Sequence, residues 1–170
     1  MMNKELKIEL CKEAERIIED TTITYKAQYE DASRWRKYNF RLAVAAALFA
    51  AIAGFSAISK YTWGIPIVIG ASFLSASLSA ILSVLKPSEK SQLHHQAGVN
   101  FQRLRDNTRL FKNIILQKDS LSENDVSDKI KLLSDERATL RDESPQPSDW
   151  AYGRALKGIE DGQTTYQIDK

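Results

Sequence analysis

The stretch from Leu42 to Leu85, LAVAAALFAAIAGFSAISKYTWGIPIVIGASFLSASLSAILSVL, holds 44 residues and a single charge, Lys60. Leu42 to Ser59 supplies 18 uncharged residues and Tyr61 to Leu85 supplies 25. At about 1.5 Å per residue these make helices of roughly 27 and 37 Å, against a hydrocarbon core of about 30 Å. A soluble chain of 170 residues could hardly shield two such helices on every face. The stretch predicts a membrane hairpin, with spans over about 42–59 and 66–85 and an outward turn at 60–65. Gly64 loosens the turn, and Pro66 suits a first helical turn, where its missing N–H costs nothing. Trp35 and Tyr38 precede the first span while Tyr61 and Trp63 sit in the turn, so each interface has amphipathic rings.

Charge sets the expected orientation. Arg34, Arg36, Lys37 and Arg41 lead into the first span with no acid after Asp31, and Lys86 and Lys90 follow the second with Glu89 alone opposing them. By the positive-inside rule both termini are cytoplasmic. The net charge of +2 conceals this collar, because residues 1–31 sum to −3, 32–112 to +9 and 113–170 to −4. Headgroup attraction explains the collar, and no nucleic-acid-binding motif accompanies it, so no nucleic acid is expected. Nine basic and eight acidic residues among the first 41 exclude a signal peptide. The lone cysteine, Cys11, forms no internal bridge.

The rest of the chain reads as helix. In the arm, residues 1–41, Leu6, Leu10, Ala14, Ile17, Thr21, Tyr25, Ala32 and Trp35 recur mostly at three- and four-residue steps. No glycine or proline occurs before Gly54, so the arm is expected to run unbroken into the first span. Residues 86–118 carry a second seam, Ala97, Phe101, Leu104, Thr108, Phe111 and Ile115, spaced 4, 3, 4, 3 and 4. Such a seam packs against a partner, either the arm or a second copy of the chain. Pro87, between span and seam, either bends the chain there or serves as a hinge. In 119–170, Ser122 and Asp125 resemble a capping box opening a helix with Val126, Ile130, Leu133 and Leu140 on one face. Pro145 and Pro147 mark a linker, and Trp150, Tyr152, Ala155, Leu156 and Ile159 suggest a short amphipathic helix closed by Asp161-Gly162.

A search for chemistry finds no Gly-rich phosphate loop, zinc-spaced cluster or nucleophile elbow. Adjacent His94 and His95 point about 100° apart on a helix and cannot chelate one ion together. No catalytic, cofactor or metal-binding residue is expected, and the chain does not read as an enzyme. The spans carry small residues: Ala43, Ala47 and Ala51 on one ridge, Ala46, Ala50 and Gly54 on another, then Ser72, Ala76 and Ala80 beside Ser75, Ser79 and Ser83. Small residues let helices approach closely in lipid. The serines Ser72, Ser75, Ser79 and Ser83 serve equally as packing residues or as the lining of a pore built from several copies.

This arrangement resembles the SLATT domain, a bacterial family of two-helix membrane proteins. The resemblance is carried by Trp35-Arg36-Lys37-Tyr38-Asn39, by the small-residue spans, and by Lys90, His94 or His95, Ala97, Phe101 and Leu104. Pro147-Ser148-Asp149-Trp150-Ala151-Tyr152-Gly153-Arg154-Ala155 through Gly158 also looks like a closing element of some members. It covers about residues 10–160 and rests on spacing and residue type. It implies an effector of bacterial conflict systems that assembles or opens in the inner membrane, triggered by a nucleotide second messenger or a neighbouring-gene product.

The resulting expectation is an all-α membrane protein: a two-helix transmembrane hairpin with long cytoplasmic helical extensions and a short C-terminal helical region. The expected function is a homo-oligomeric membrane effector of anti-phage defence, with the lipid bilayer and further copies of itself as partners. The alternative is a non-conducting scaffold that recruits a cytoplasmic partner through the helical stalk.

Overall fold

A computed structural model describes residues 4–58, 64–115 and 122–164. Helix accounts for 93% of these and no strand occurs among them. The helices are α1 (Lys4–Ile58), α2 (Gly64–Leu85), α3 (Pro87–Leu110), α4 (Glu123–Glu143) and α5 (Asp149–Glu160), with a π-helical turn at Phe111–Ile115. Two of them contain stretches long and apolar enough to cross a membrane. Except for Gly64 and Ile65, the expected turn at 60–65 lies outside the described residues, and so does the side chain of Ile115. The chain divides into two compact units, one of residues 32–92 and one of 1–31 with 93–170.

In the unit of residues 1–31 and 93–170, three helices share one core. Leu10, Ala14 and Ile17 of α1 meet Leu104 of α3, Phe111, and Val126, Ile130 and Leu133 of α4, with Leu6, Cys11 and Leu140 packed at the edge. Ile17 and Leu104 are fully buried and Phe111 nearly so, each side chain contributing about 1.5–3 kcal/mol of transfer free energy. Ala97, Phe101 and Thr108 are buried as well, so the described side chains of the α3 seam are covered within the chain. Ser122 caps α4 by accepting from Asn124 N at 3.3 Å. Among the described residues Asp125 makes no reciprocal bond to Ser122, since it is one methylene shorter than the glutamate of a full capping box.

Helix α5 buries Ala155 from the face expected of it but not that face's larger residues Trp150, Tyr152 and Leu156. Ala151, Ala155 and Gly158 are buried, with Ala151 and Ala155 against Ala27 of α1, whereas Trp150, Tyr152 and Leu156 are exposed. The start of α5 is tied to α1 by Asp31, which accepts from Ser148 N at 2.7 Å and Ser148 Oγ at 2.8 Å. So short a tether brings the two backbones close, and alanines fill the space between them. Gly162, at φ 77°, ends the helix in the left-handed conformation that glycine adopts freely.

In the unit of residues 32–92, the apolar part of α1 packs on α2 through small residues. Ala46 and Ala53 of α1 and Gly64 and Ala71 of α2 are buried, and Ser75 Oγ donates to Ala46 O at 3.0 Å. Neither four-residue alanine ridge is the contact: Ala43, Ala47, Ala50, Ala51 and Gly54 are all exposed. A four-residue step drifts about 40° around a helix, while the seven-residue step from Ala46 to Ala53 drifts only about 20° and stays on the seam. Pro87 begins α3, and Lys86 before it takes φ 45°. A proline ring collides with the carbonyl four residues earlier, so the helix stops and restarts at this point. Lys86 N still bonds Leu82 O at 3.0 Å and Lys90 N bonds Lys86 O at 3.1 Å, so the backbone bonds close up on both sides of the break. Pro87 itself is fully buried.

Candidate functional site

The serines expected to line a path or pack helices divide into two groups. Ser75 is half-buried and spent on the contact with α1. Ser72, Ser79 and Ser83 are exposed, as are Ala76 and Ala80 between them. The three serines lie within about 40° of one another around α2. Ser77 satisfies its own hydroxyl by donating to Phe73 O at 2.8 Å, but Ser72, Ser79 and Ser83 make no hydrogen bond among the described residues. The result is a stripe of small residues with free hydroxyls, with exposed Phe73 about 100° round the helix and exposed Leu74 and Ile81 near the opposite side.

The basic collar is built around aromatic rings. Trp35 and Tyr38 meet edge to face with centroids 6.1 Å apart, Lys90 Nζ lies 4.5 Å from the Trp35 centroid, and the Arg34 guanidinium lies 5.6 Å from that of Tyr38. Ser91 Oγ donates to Ala32 O at 2.8 Å, fastening the first turns of α3 beside α1. Lys86 pairs with Glu89 at 3.1 Å, which occupies the one acid of residues 32–92. Arg36, Lys37, Phe40 and Arg41 line a shallow cavity of about 320 Å³ on one face of α1.

The other unit holds a buried polar hub. Gln28 is 1% exposed; its Nε2 donates to Pro145 O at 2.6 Å, which turns Oε1 toward His94 Nδ1, also 2.6 Å away. An amide oxygen only accepts, so His94 carries its proton on Nδ1. His95 is exposed and tilts against Tyr29 with centroids 5.5 Å apart. Tyr29 Oη bonds Gln102 at 2.8 Å, and burial raises the pKa of this phenol above its ordinary value. A Cβ on Gly98 would sit 2.7 Å from the Tyr29 ring, so α3 passes α1 here only because residue 98 has no side chain. Burial lowers the pKa of Lys26, with Glu30 acting in the opposite direction. Next to the hub, Asp20, Thr24, Gln28, Phe101, Arg141 and the 144–147 linker bound a cavity of about 550 Å³. At its rim Arg141 pairs with Asp20 at 2.8 Å.

Among the described residues no three His, Cys, Asp or Glu side chains are grouped to hold a metal ion. Sequence reasoning missed Gln28, Asp31 and Gly98. Gln28 has a signal in retrospect: it stands three residues after Tyr25 and four before Ala32, in register with the arm's apolar seam, where a polar residue needs a partner. Compared with protein-family models, curated proteins and solved structures, the chain matches none.

Proposed function

We propose that this chain is a homo-oligomeric membrane effector of bacterial anti-phage defence, which forms a pore or disrupts the inner membrane when activated. The observation that carries the membrane reading is exposure. In the most apolar 18-residue windows of the two candidate spans only 11% and 6% of the residues are buried. A core helix of a soluble protein would have most of that window covered. Here Phe55, Ile58, Ile65, Phe73 and Val84 are all more than 70% exposed, a surface suited to hydrocarbon.

Both termini lie on the cytoplasmic side, because Arg34, Arg36, Lys37, Arg41, Lys86 and Lys90 flank the two spans on that side. Assembly rests on the stripe of Ser72, Ser79 and Ser83. Free hydroxyls in hydrocarbon gain by pairing across helices, and small side chains permit the approach. Two helices enclose no channel, so conduction requires several copies. The defence role and its trigger, a nucleotide second messenger or a neighbouring-gene product, come from the resemblance to SLATT domains.

The test is membrane potential, read with a voltage-sensitive dye in bacteria expressing the chain with its neighbouring gene. Depolarisation that tracks expression, and that Ser79→Leu abolishes while insertion persists, is the expected outcome. A membrane that stays polarised, with the protein inserted and the trigger present, would leave a non-conducting anchor as the reading.

A further inference from the structure

Residues 32–92 contain seven basic residues and one acid. The described cations around the collar differ in what occupies them. Lys86 has Glu89, Lys90 has the Trp35 ring and Arg34 has the Tyr38 ring. Arg36, Lys37 and Arg41 have no hydrogen bond, ion pair or ring contact among the described residues. They are not scattered: with Phe40 they occupy positions i, i+1, i+4 and i+5 of α1, within an arc of about 140°, and line one cavity of about 320 Å³. Three uncompensated cations on one helix face repel one another unless an anion lies between them.

What lies beside them identifies the anion. Phe40 is the first residue of an exposed apolar ridge, continued by Val44, Leu48 and Ile52 at four-residue steps, with Phe55 next to its end. From Phe40 to Phe55 the ridge runs about 22 Å along the axis, close to the length of an extended fatty-acyl chain. Free phosphate or a nucleic acid would match the cations but leave the ridge bare, whereas a phospholipid matches both. We infer that Arg36, Lys37 and Arg41 bind the headgroup of an anionic phospholipid whose acyl chain lies along Phe40, Val44, Leu48 and Ile52. This inference rests on the membrane reading above and adds a lipid class to it. The guanidinium groups of Arg36 and Arg41 supply paired donors to phosphate oxygens, Lys37 adds a point charge, and Phe40 covers the glycerol-to-chain junction.

The experiment uses the full chain with Trp63→Phe and Trp150→Phe, so that Trp35, adjacent to the patch, is its one tryptophan and is excited selectively over the tyrosines. The protein is reconstituted in phosphatidylcholine vesicles with and without phosphatidylglycerol, and quenching by bromine-labelled forms of each lipid gives their relative affinities. The expected result is a preference for phosphatidylglycerol of at least about fivefold, on the order of one cation's attraction to an anionic surface. Arg36→Gln with Arg41→Gln removes the preference, while Lys86→Gln with Lys90→Gln, an equal loss of charge elsewhere in the collar, keeps most of it. Equal losses in the two double variants would overturn the patch in favour of a diffuse field. Displacement of the lipid by inorganic phosphate, where chloride at the same ionic strength does nothing, would reassign it to a free anion. Insertion with no lipid preference overturns this inference alone; failure to insert in either vesicle overturns the membrane reading beneath it.

Discussion

Asp31 shows how much one side chain can decide. It is 2% exposed, and both of its carboxylate oxygens are used on Ser148, one by the backbone N–H and one by the hydroxyl. Ser148 in turn caps α5 by accepting from Ala151 N at 3.2 Å. Removing the carboxylate leaves two donors without their partner at the point where α5 begins. Asp31→Ala should therefore cost about 1–3 kcal/mol, and Asp31→Asn, which keeps one acceptor oxygen, clearly less. Thermal unfolding followed by circular dichroism in detergent would order the two; equal losses would mean that the space, not the hydrogen bonds, matters. None of this was legible beforehand. Asp31 reads in sequence as the last of the arm's scattered acids, because a carboxylate's burial depends on a serine 117 residues away.

At the scale of elements, what the chain spells locally is what could be read. Forty-four residues with one charge announce two apolar helices, and an arm without glycine or proline announces an unbroken α1. The break at Pro87 follows from the ring's own geometry. The strain it leaves falls on Lys86, whose φ of 45° costs an L-residue about 1–2 kcal/mol and a glycine little. Lys86→Gly forfeits only the exposed pair with Glu89 and should raise stability by up to about 1 kcal/mol. A loss measured by denaturant titration in micelles would show that Lys86 holds the junction by its side chain. The inward face of α5 was illegible for a different reason. The expected face groups Ala155 with the larger Trp150, Tyr152 and Leu156, but the spacing of two backbones chooses Ala155 together with Ala151. Ala155→Leu, an increase in apolarity, should thus destabilise the unit by about 1–3 kcal/mol through overpacking. The same melting experiment checks it, and a gain in stability would show that the space between α1 and α5 admits a larger side chain.

For the whole molecule, burial reassigns the surfaces available to a second chain. Of the partners open to the seam of Leu104 and Phe111, the arm, another copy or a cytoplasmic protein, it is the arm that meets them, since both lie in the core with Ile17 and Val126. A charge placed at Leu104 would disrupt that core and say nothing about recruitment. Within the candidate spans, small side chains and unused hydroxyls coincide on α2, at Ser72, Ser79 and Ser83. If copies assemble there, Ser79 faces its counterpart or a near neighbour across a close interface, while Phe73, about 120° round the helix and 72% exposed, faces lipid. A disulfide forms only where two Cα atoms come within about 7 Å, so cross-linking reads that geometry directly. With Cys11→Ser removing the lone native thiol, Ser79→Cys should yield a disulfide-linked dimer in oxidised membranes and Phe73→Cys markedly less. Equal yields from both positions would mean random collision in the bilayer. A higher yield at Phe73 would move the interface off the serine stripe, and with it the path for ions that the stripe is proposed to form.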